Sequence, residues 1–112
     1  KEKLTAVPVV NPKGGGAVTP THESIEKGTY APFSRPLFFY VNKDSLAKPQ
    51  VAAFAEYYIG NAGKFAEEVG YVKLPAELYT RAQANLKAMR LGTQMLDESG
   101  KERPGALTEL YK

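Results

Sequence analysis

The apolar run Leu37–Val41, entered directly from Pro36, constrains the fold of this chain more than any other feature. Nearly every position is apolar, which predicts a strand covered on both faces in the middle of an α/β sheet. Such a strand needs neighbours on both edges, and a lone pair of strands is marginal in water. The other candidate strand, Leu4–Val10, contains Pro8, which favours a sheet edge or a bulge. We therefore expect the partner strands to come from another segment or another copy.

Helix signals occur along the rest of the chain, and most carry a start or stop residue. Asn11–Thr19 is predicted to be a flexible Gly-rich loop, and a turn is predicted to begin at Asp44. The first predicted helix is short, runs from Thr19 or Thr21 to Lys27 and is stopped by Gly28; the second is opened by Pro49 and ends at Gly60; the third is Ala62–Val69, closed by Gly70. The fourth is opened by Pro75 and ends at Gly92, and its predicted buried face consists of Leu78, Ala82, Leu86 and Met89. A last helical turn is predicted at Leu107–Tyr111. The predicted class is α/β, with two or three strands and four to five helices.

Composition excludes several kinds of function. The 112 residues suffice for one small domain and include no cysteine, so disulfides, zinc–thiolate sites and cysteine nucleophiles are excluded. The net charge of +3 comes from charges spread along the chain, whereas nucleic-acid surfaces show clustered charge. No apolar run approaches the roughly 20 residues that span a bilayer, and we expect no signal peptide among these 112 residues. Because the chain begins with Lys1, we expect a processed product or a piece of a longer protein.

Two features near the amino terminus have a functional and a structural interpretation. The loop Pro12–Gly16 could present backbone N–H groups to an anion. It lacks the Gly-Lys-Ser/Thr ending and the strand–loop–helix spacing of a phosphate loop, so a flexible connection is favoured. His22 is the only histidine and has no nucleophile and orienting partner in its sequence neighbourhood, so a solvated surface residue is favoured.

Arg35, between Ser34 and Pro36, enters the predicted buried strand and should meet carboxylates or carbonyl groups there. It could bind an oxyanion, but a structural ion pair or carbonyl clamp is favoured.

The Tyr57–Tyr58 pair could stack on sugars or bases, although Tyr58 shares an apolar stripe with Val51 and Phe54, which favours packing. The acid pairs Glu67–Glu68 and Asp97–Glu98 are interpreted as solvated charge.

The segment from Thr21 to Asn42, THESIEKGTYAPFSRPLFFYVN, resembles a late segment of the periplasmic phosphate-binding proteins that serve ABC transporters. The stretch PQVAAFAEYYIGNAGKFAEEVGYVKLPAELY is similar to the helices that follow in that family. The matching residues of the first motif are Pro20, Glu23, Ser24, Ile25, Gly28, Tyr30, Ser34, Arg35, Pro36, Leu37, Phe38, Tyr40 and Val41.

This resemblance implies a C-terminal portion of a two-lobed receptor that closes over one phosphate and delivers it to a membrane permease. Residues 1–29 would end one lobe, residues 30–36 would form the hinge crossover, and residues 37–112 would belong to the other lobe. Ser34, Arg35 and Pro36 match the crossover. No phosphate ligand, catalytic residue, metal or cofactor is assigned to this chain. The whole protein would be exported to the periplasm or cell surface, and exposed strand edges predict self-association or strand exchange of this portion.

A small α/β structural or interaction module without a ligand is the alternative function. An enzyme is less favoured than either, because no nucleophile, base and orienting residue can be identified together.

Overall fold

The computed structural model describes residues 4–12 and 14–112, and these divide into two compact units, one ending at Leu37 and the other spanning Phe38–Lys112. The described residues contain two short strands, four α-helices and one 3₁₀ turn, which gives a small α/β protein. Among these residues, no helix combines the length and apolar character needed to cross a membrane.

The first unit contains an antiparallel hairpin of β1 (Val9–Val10) and β2 (Ala17–Val18), with Val9 opposite Val18. The turn between them includes Gly14 at a φ of 101°, a conformation that favours glycine. The predicted strand Leu4–Val10 is therefore wrong except for its last two residues, since Pro8 has no N–H to extend the ladder. The predicted loop 11–19 is also partly wrong, because it contains β2. Lys13, within the loop considered for anion binding, lies outside the described residues.

The hairpin is followed by α1 (His22–Glu26), which confirms the predicted short helix. The Thr21 hydroxyl accepts the Ser24 N–H at 3.1 Å, so Thr21 is the N-cap. Gly28 ends the helix at a φ of 68°, where its N–H reaches the Ile25 carbonyl at 3.1 Å. An exposed Glu23–Lys27 ion pair lies along the helix surface at 2.6 Å. Both ends of α1 are thus defined by local hydrogen bonds.

The predicted strand Leu37–Val41 is wrong: these residues have no regular secondary structure. Leu37 and Tyr40 are 73% and 72% exposed, whereas a central strand would be covered on both faces. The physical reason is the absence of a partner, because β1 and β2 are the only strands in the part of the chain that the structure describes and they pair with each other. An apolar run without a neighbouring strand cannot form a ladder.

The second unit is built on α2 (Pro49–Glu68) and α3 (Ala76–Lys87), which pack against each other. A 3₁₀ turn over Asp44–Ala47 precedes α2, as predicted for a turn beginning at Asp44. Ala55 on α2 and Leu78 on α3 are the only buried hydrophobic residues among those described, at 0% and 3% exposure. The core of this unit is therefore very small.

Pro49 is confirmed as a helix-starting residue. The predicted break at Gly60 is wrong, because α2 runs without interruption for 20 residues from Pro49 to Glu68 and includes most of the separate helix predicted over Ala62–Val69. Glycine in a helix interior costs up to about 1 kcal/mol relative to alanine, and close packing is one reason to keep it. A Cβ at Gly63 would lie 3.2 Å from the Tyr79 ring. At Gly63, the absence of a side chain therefore permits the close approach of Tyr79 on α3.

The end of α3 also differs from the prediction. The helix stops at Lys87, and Met89 follows in a left-handed conformation at a φ of 51°. Its N–H donates to the Leu86 carbonyl at 3.0 Å and Arg90 N–H donates to the Asn85 carbonyl at 3.0 Å, the helix-ending pattern in which glycine is usual. Met89 is consequently 49% exposed and does not belong to the buried face.

The polar segment after α3 folds into a small hairpin-like turn. Leu96 and Glu102 form an isolated antiparallel bridge, and the Asp97 N–H donates to the Lys101 carbonyl at 2.8 Å. The chain then forms α4 (Leu107–Leu110), which agrees with the predicted last turn.

Candidate functional site

The serine of the THESIEKG motif is the centre of a hydrogen-bond network in the first unit. Ser24 is the only buried polar residue among those described, at 9% exposure. Its hydroxyl donates to the Thr19 carbonyl at 2.7 Å and accepts the Thr21 N–H at 2.9 Å. Its carbonyl accepts the N–H groups of Thr29 and Tyr30 at 2.9 and 3.1 Å. The Ser24 N–H donates to the Thr21 hydroxyl, so every polar group of Ser24 is engaged within the first unit and none is free for a ligand.

The three residues matched to the hinge crossover have different environments. The half-buried Ser34 donates its hydroxyl to the Ile25 carbonyl at 2.7 Å and its N–H to the Tyr30 carbonyl at 2.8 Å. Pro36 is also half-buried. These contacts attach the segment after Gly28 to α1, which is a structural role for Ser34.

Arg35 does not have the environment that its sequence position predicts. Its side chain is exposed, and within residues 4–12 and 14–112 it takes part in no hydrogen bond or ion pair. The expectation of a buried, paired guanidinium is wrong here, because the strand that would have buried it does not form. An exposed arginine keeps its hydration and needs no carboxylate partner.

The other candidates from the sequence lie on the surface. His22 is exposed in the first turn of α1. Glu67 and Glu68 are exposed but paired, with Lys73 at 2.9 Å and Lys64 at 3.7 Å. The residues that the structure describes include no group of three or more His, Cys, Asp and Glu side chains that could hold a metal ion.

Asp97 organises the turn that follows it. One carboxylate oxygen accepts the Ser99 hydroxyl at 2.7 Å, the Ser99 N–H at 2.8 Å and the Lys101 N–H at 2.9 Å. These bonds, with that of the Ser99 hydroxyl the most important, hold the pKa of Asp97 below its ordinary value. Asp97 is therefore more than the solvated charge that the sequence indicates.

An aromatic cluster lies on one face of α2. It consists of Phe39, Phe54, Tyr58 and Phe65, with the Phe39 and Tyr58 rings 4.8 Å apart and the Phe54 and Tyr58 rings 6.0 Å apart. The predicted packing role of Tyr58 is confirmed by these contacts. Tyr58 is nevertheless 39% exposed and Phe54 57% exposed, so the cluster has an open side.

Sequence reasoning missed one interaction site, the anchor of the carboxyl-terminal segment on α3. The Arg81 guanidinium donates to the Thr108 carbonyl at 2.6 Å and to the Tyr111 carbonyl at 2.8 Å. The only local signal is the helical spacing to Glu77, whose carboxylate lies 3.6 Å from Arg81. The carbonyls that Arg81 binds are 27 and 30 residues away and leave no local pattern.

Two shallow, open hollows of about 110 and 220 Å³ lie beside α2 and α3, and both are lined by Glu56, Leu86 and Lys87. A phosphate site in a protein combines converging donors with burial, and neither hollow has that character.

Curated relatives of the chain include phosphate-binding proteins. The chain is 37% identical over 99 residues to the phosphate-binding protein PstS of Staphylococcus aureus, a match that covers 88% of this chain and 30% of that protein. It is 41% identical over 99 residues to protein SphX of Synechococcus elongatus, covering 88% of the chain and 29% of the relative. Protein SphX of Synechocystis is 39% identical over 97 residues, 86% of the chain and 28% of the relative.

These relatives confirm the predicted resemblance to phosphate-binding proteins, and the similarity extends well beyond the Thr21–Asn42 motif. The chain spans less than a third of the length of the relatives it matches. No family model matches the chain. No solved structure matches it either.

Proposed function

We propose that this chain is the C-terminal portion of a receptor that captures inorganic phosphate and delivers it to the permease of an ABC transporter. The observation that carries the proposal is the 37% identity to a phosphate-binding protein over 88% of the chain. The receptor is non-enzymatic and is exported to the periplasm or cell surface. In this proposal residues 1–29 end one lobe, residues 30–36 cross between lobes, and residues 37–112 belong to the other lobe.

The phosphate ligands of the receptor lie outside this chain. Supporting this, the hydroxyl of Ser24, the only buried polar residue among those described, is occupied by backbone partners. The guanidinium of Arg81 is occupied by two carbonyls and Glu77. Arg35 is exposed, whereas tight oxyanion binding requires a desolvated donor. The role of this portion is therefore to complete the fold of the receptor.

The small core of the second unit agrees with such a role. Large apolar side chains of this unit such as Tyr40, Val69 and Leu91 are 68–72% exposed. Contiguous exposed apolar surface usually marks a contact with another part of a protein or with a partner. In the receptor, these side chains would be covered by the remaining segments of the two lobes.

The test is a calorimetric titration of phosphate into the product of the complete gene, with sulfate as the competing anion. We expect tight binding that is selective for phosphate. Arg35→Gln in that protein should leave the affinity nearly unchanged, since we assign Arg35 to the crossover and not to the pocket. The 112-residue chain alone should give no binding heat. Absence of binding of either anion by the complete protein would refute the receptor function, and loss of affinity in Arg35→Gln would refute the placement of the ligands.

The alternative, a structural or interaction module without a ligand, is not favoured by the similarity to PstS. It predicts no heat with either anion and no export of the complete gene product, so the same titration and a fractionation of cells separate the two functions.

A further inference from the structure

Lys112 has an attachment of its own to α3 and to the segment after α3, separate from the Arg81 anchor. The main-chain oxygen of Lys112 accepts hydrogen bonds from three side chains, those of Arg90 at 2.7 Å, Gln94 at 2.9 Å and Asn85 at 3.1 Å. The donors are 18 to 27 residues away in the sequence. Tertiary structure therefore brings three amide and guanidinium groups together on one main-chain atom.

Gln94 contacts both main-chain polar groups of Lys112. Its Nε2 donates to the main-chain oxygen at 2.9 Å, and its Oε1 accepts the N–H at 2.6 Å. A side-chain amide carries the same donor and acceptor as a peptide group, so this is the paired exchange that two residues make in an antiparallel ladder. Gln94 is half-buried, and its own main-chain oxygen accepts the Arg103 guanidinium at 3.0 Å. The amide that reads Lys112 is thus held in place.

The side chains of residues 107–112 contribute no polar contact to this attachment. In the part of the chain that the structure describes, none of them takes part in a hydrogen bond or an ion pair, and Lys112 is exposed. The bonds that reach this segment from α3 and the segment after it all use its main-chain groups. Hydrogen bonds to main chain alone give affinity without selecting particular side chains.

We propose that Asn85, Arg90 and Gln94 form a binding site for polypeptide main chain, and that this site holds residues 107–112 as a strap that detaches without unfolding the rest of the second unit. None of the residues in the strap is fully buried. Elements with few buried contacts open at lower free energy than the core of a domain. The site uses only residues of this chain and no phosphate, so its test is independent of the receptor function.

The test is amide hydrogen exchange of the 112-residue chain, read by NMR at Leu110 and Tyr111. The N–H groups of these two reporter residues donate to the Ala106 and Leu107 carbonyls at 3.1 and 2.9 Å, so they exchange when the strap opens. Opening of a strap exposes little surface. We therefore expect the exchange rates of the reporter amides to change little at low denaturant concentrations, whereas amides in the middle of α2 follow global unfolding.

Gln94→Leu removes both hydrogen bonds between this side chain and Lys112. We expect exchange of the reporter amides to accelerate on the order of tenfold, as the loss of one or two net hydrogen bonds implies. The matched control is Gln83→Leu, the same substitution at an exposed residue of α3 outside the site, which should leave the exchange unchanged. The Arg103 N–H, which donates to the Met95 carbonyl at 2.9 Å, should stay protected in Gln94→Leu if the segment around Gln94 remains folded.

A second pair of variants separates main-chain from side-chain recognition. Lys112→Pro removes the N–H that Gln94 accepts, and it should accelerate exchange of the reporter amides. Tyr111, at a φ of −89° and a ψ of 102°, already has the extended backbone that a following proline favours. Lys112→Ala keeps the N–H and should behave like the unmodified chain. In the Gln94→Leu background, Lys112→Pro should add little, because the bond that it removes is already absent.

Three results would overturn the proposal. If Lys112→Pro accelerated exchange no more than Lys112→Ala, or Gln94→Leu no more than Gln83→Leu, the main-chain binding site would be wrong. If the reporter amides exchanged only together with those of α2, residues 107–112 would not be a detachable strap.

Discussion

The guanidinium of Arg81 donates a hydrogen bond to the carbonyl oxygen of Tyr111 at 2.8 Å, across 30 residues of sequence. The same nitrogen donates to the Thr108 carbonyl at 2.6 Å. The last carbonyls of a helix have no partner within it, and a basic side chain is one way to satisfy them. Through Arg81, α3 therefore provides the hydrogen bonds that the end of α4 lacks and holds the carboxyl-terminal segment.

Replacement of Arg81 by alanine should release this segment. Hydrogen bonds that involve a charged group each contribute about 1.5–3 kcal/mol, and partial exposure of Arg81 reduces the sum, so we expect a loss of about 1–3 kcal/mol in the free energy of unfolding. Urea denaturation measures the loss, and hydrogen exchange should show faster exchange at Leu107–Leu110. Lys87→Ala, an exposed change on the same helix, is the control. An equal loss in Lys87→Ala would contradict the anchoring role of Arg81.

Ser24→Ala should destabilise α1 more than the removal of a single capping hydrogen bond would. The change removes the acceptor of the Thr21 N–H, which is one half of the capping box, and also removes the donor to the Thr19 carbonyl. Loss of an N-cap alone costs about 0.5–2 kcal/mol. We therefore expect Ser24→Ala to lower the free energy of unfolding at least as much as Thr21→Ala, measured by chemical denaturation.

The control for that comparison is His22→Ala, an exposed change within the same helix. Its effect on stability should be small, because substitutions on an exposed helix surface usually have small effects. If Ser24→Ala were no more harmful than His22→Ala, the hydrogen-bond network around Ser24 would not contribute to stability.

The two interior glycines of α2 should respond differently to alanine. Gly60→Ala should raise the free energy of unfolding by about 0.5–1 kcal/mol, since alanine is the better helix former and the nearest atom, Gln83 Nε2, is 3.5 Å from the new Cβ. At Gly63 the new Cβ would lie 3.2 Å from the Tyr79 ring, whose hydroxyl accepts the Leu74 N–H at 3.1 Å.

Gly63→Ala should accordingly gain less than Gly60→Ala or lose stability, because the Tyr79 ring must shift. Thermal unfolding of the two single variants measures the difference. Equal gains at both positions would mean that α3 does not pack closely against Gly63.

The turn that follows Asp97 should lose order in acid. The pKa of Asp97 in the folded chain is lowered by the Ser99 hydroxyl and the backbone N–H groups. A carboxyl with a lowered pKa stabilises the folded turn above its unfolded pKa, and this contribution is lost as the pH falls through the folded pKa. NMR titration should therefore show the Ser99 and Lys101 amide signals moving with a midpoint below the ordinary aspartate value.

Ser99→Ala should raise that midpoint toward the ordinary value, because it removes the largest cause of the lowered pKa. Asp97→Asn should abolish the acid transition of both amides. A midpoint that is unaffected by Ser99→Ala would contradict the assignment of the hydroxyl as the main cause.

Local chemistry made several helix ends predictable from the sequence. Thr21 and Gly28 delimit α1, and Pro49 opens α2, since caps, left-handed glycines and helix-starting prolines act within a few residues. The relationship to phosphate-binding proteins was also visible in the sequence, in the segment from Thr21 to Asn42, and the relatives confirm it. These features depend on the order of neighbouring residues and need no knowledge of distant ones.

Tertiary structure alone decided the remaining features, because each depends on residues far apart in the chain. Gly60 interrupts no helix, since stabilisation from packing on α3 outweighs its weak helix propensity. The apolar run Leu37–Val41 forms no strand, because a ladder needs a partner that the described residues do not provide. Arg81 binds carbonyls near the far end of the chain, and nothing in its local sequence indicates them. The amino-acid sequence by itself thus determined the helix caps and the similarity to phosphate-binding proteins. The availability of packing and pairing partners determined which of the predicted helices and strands formed.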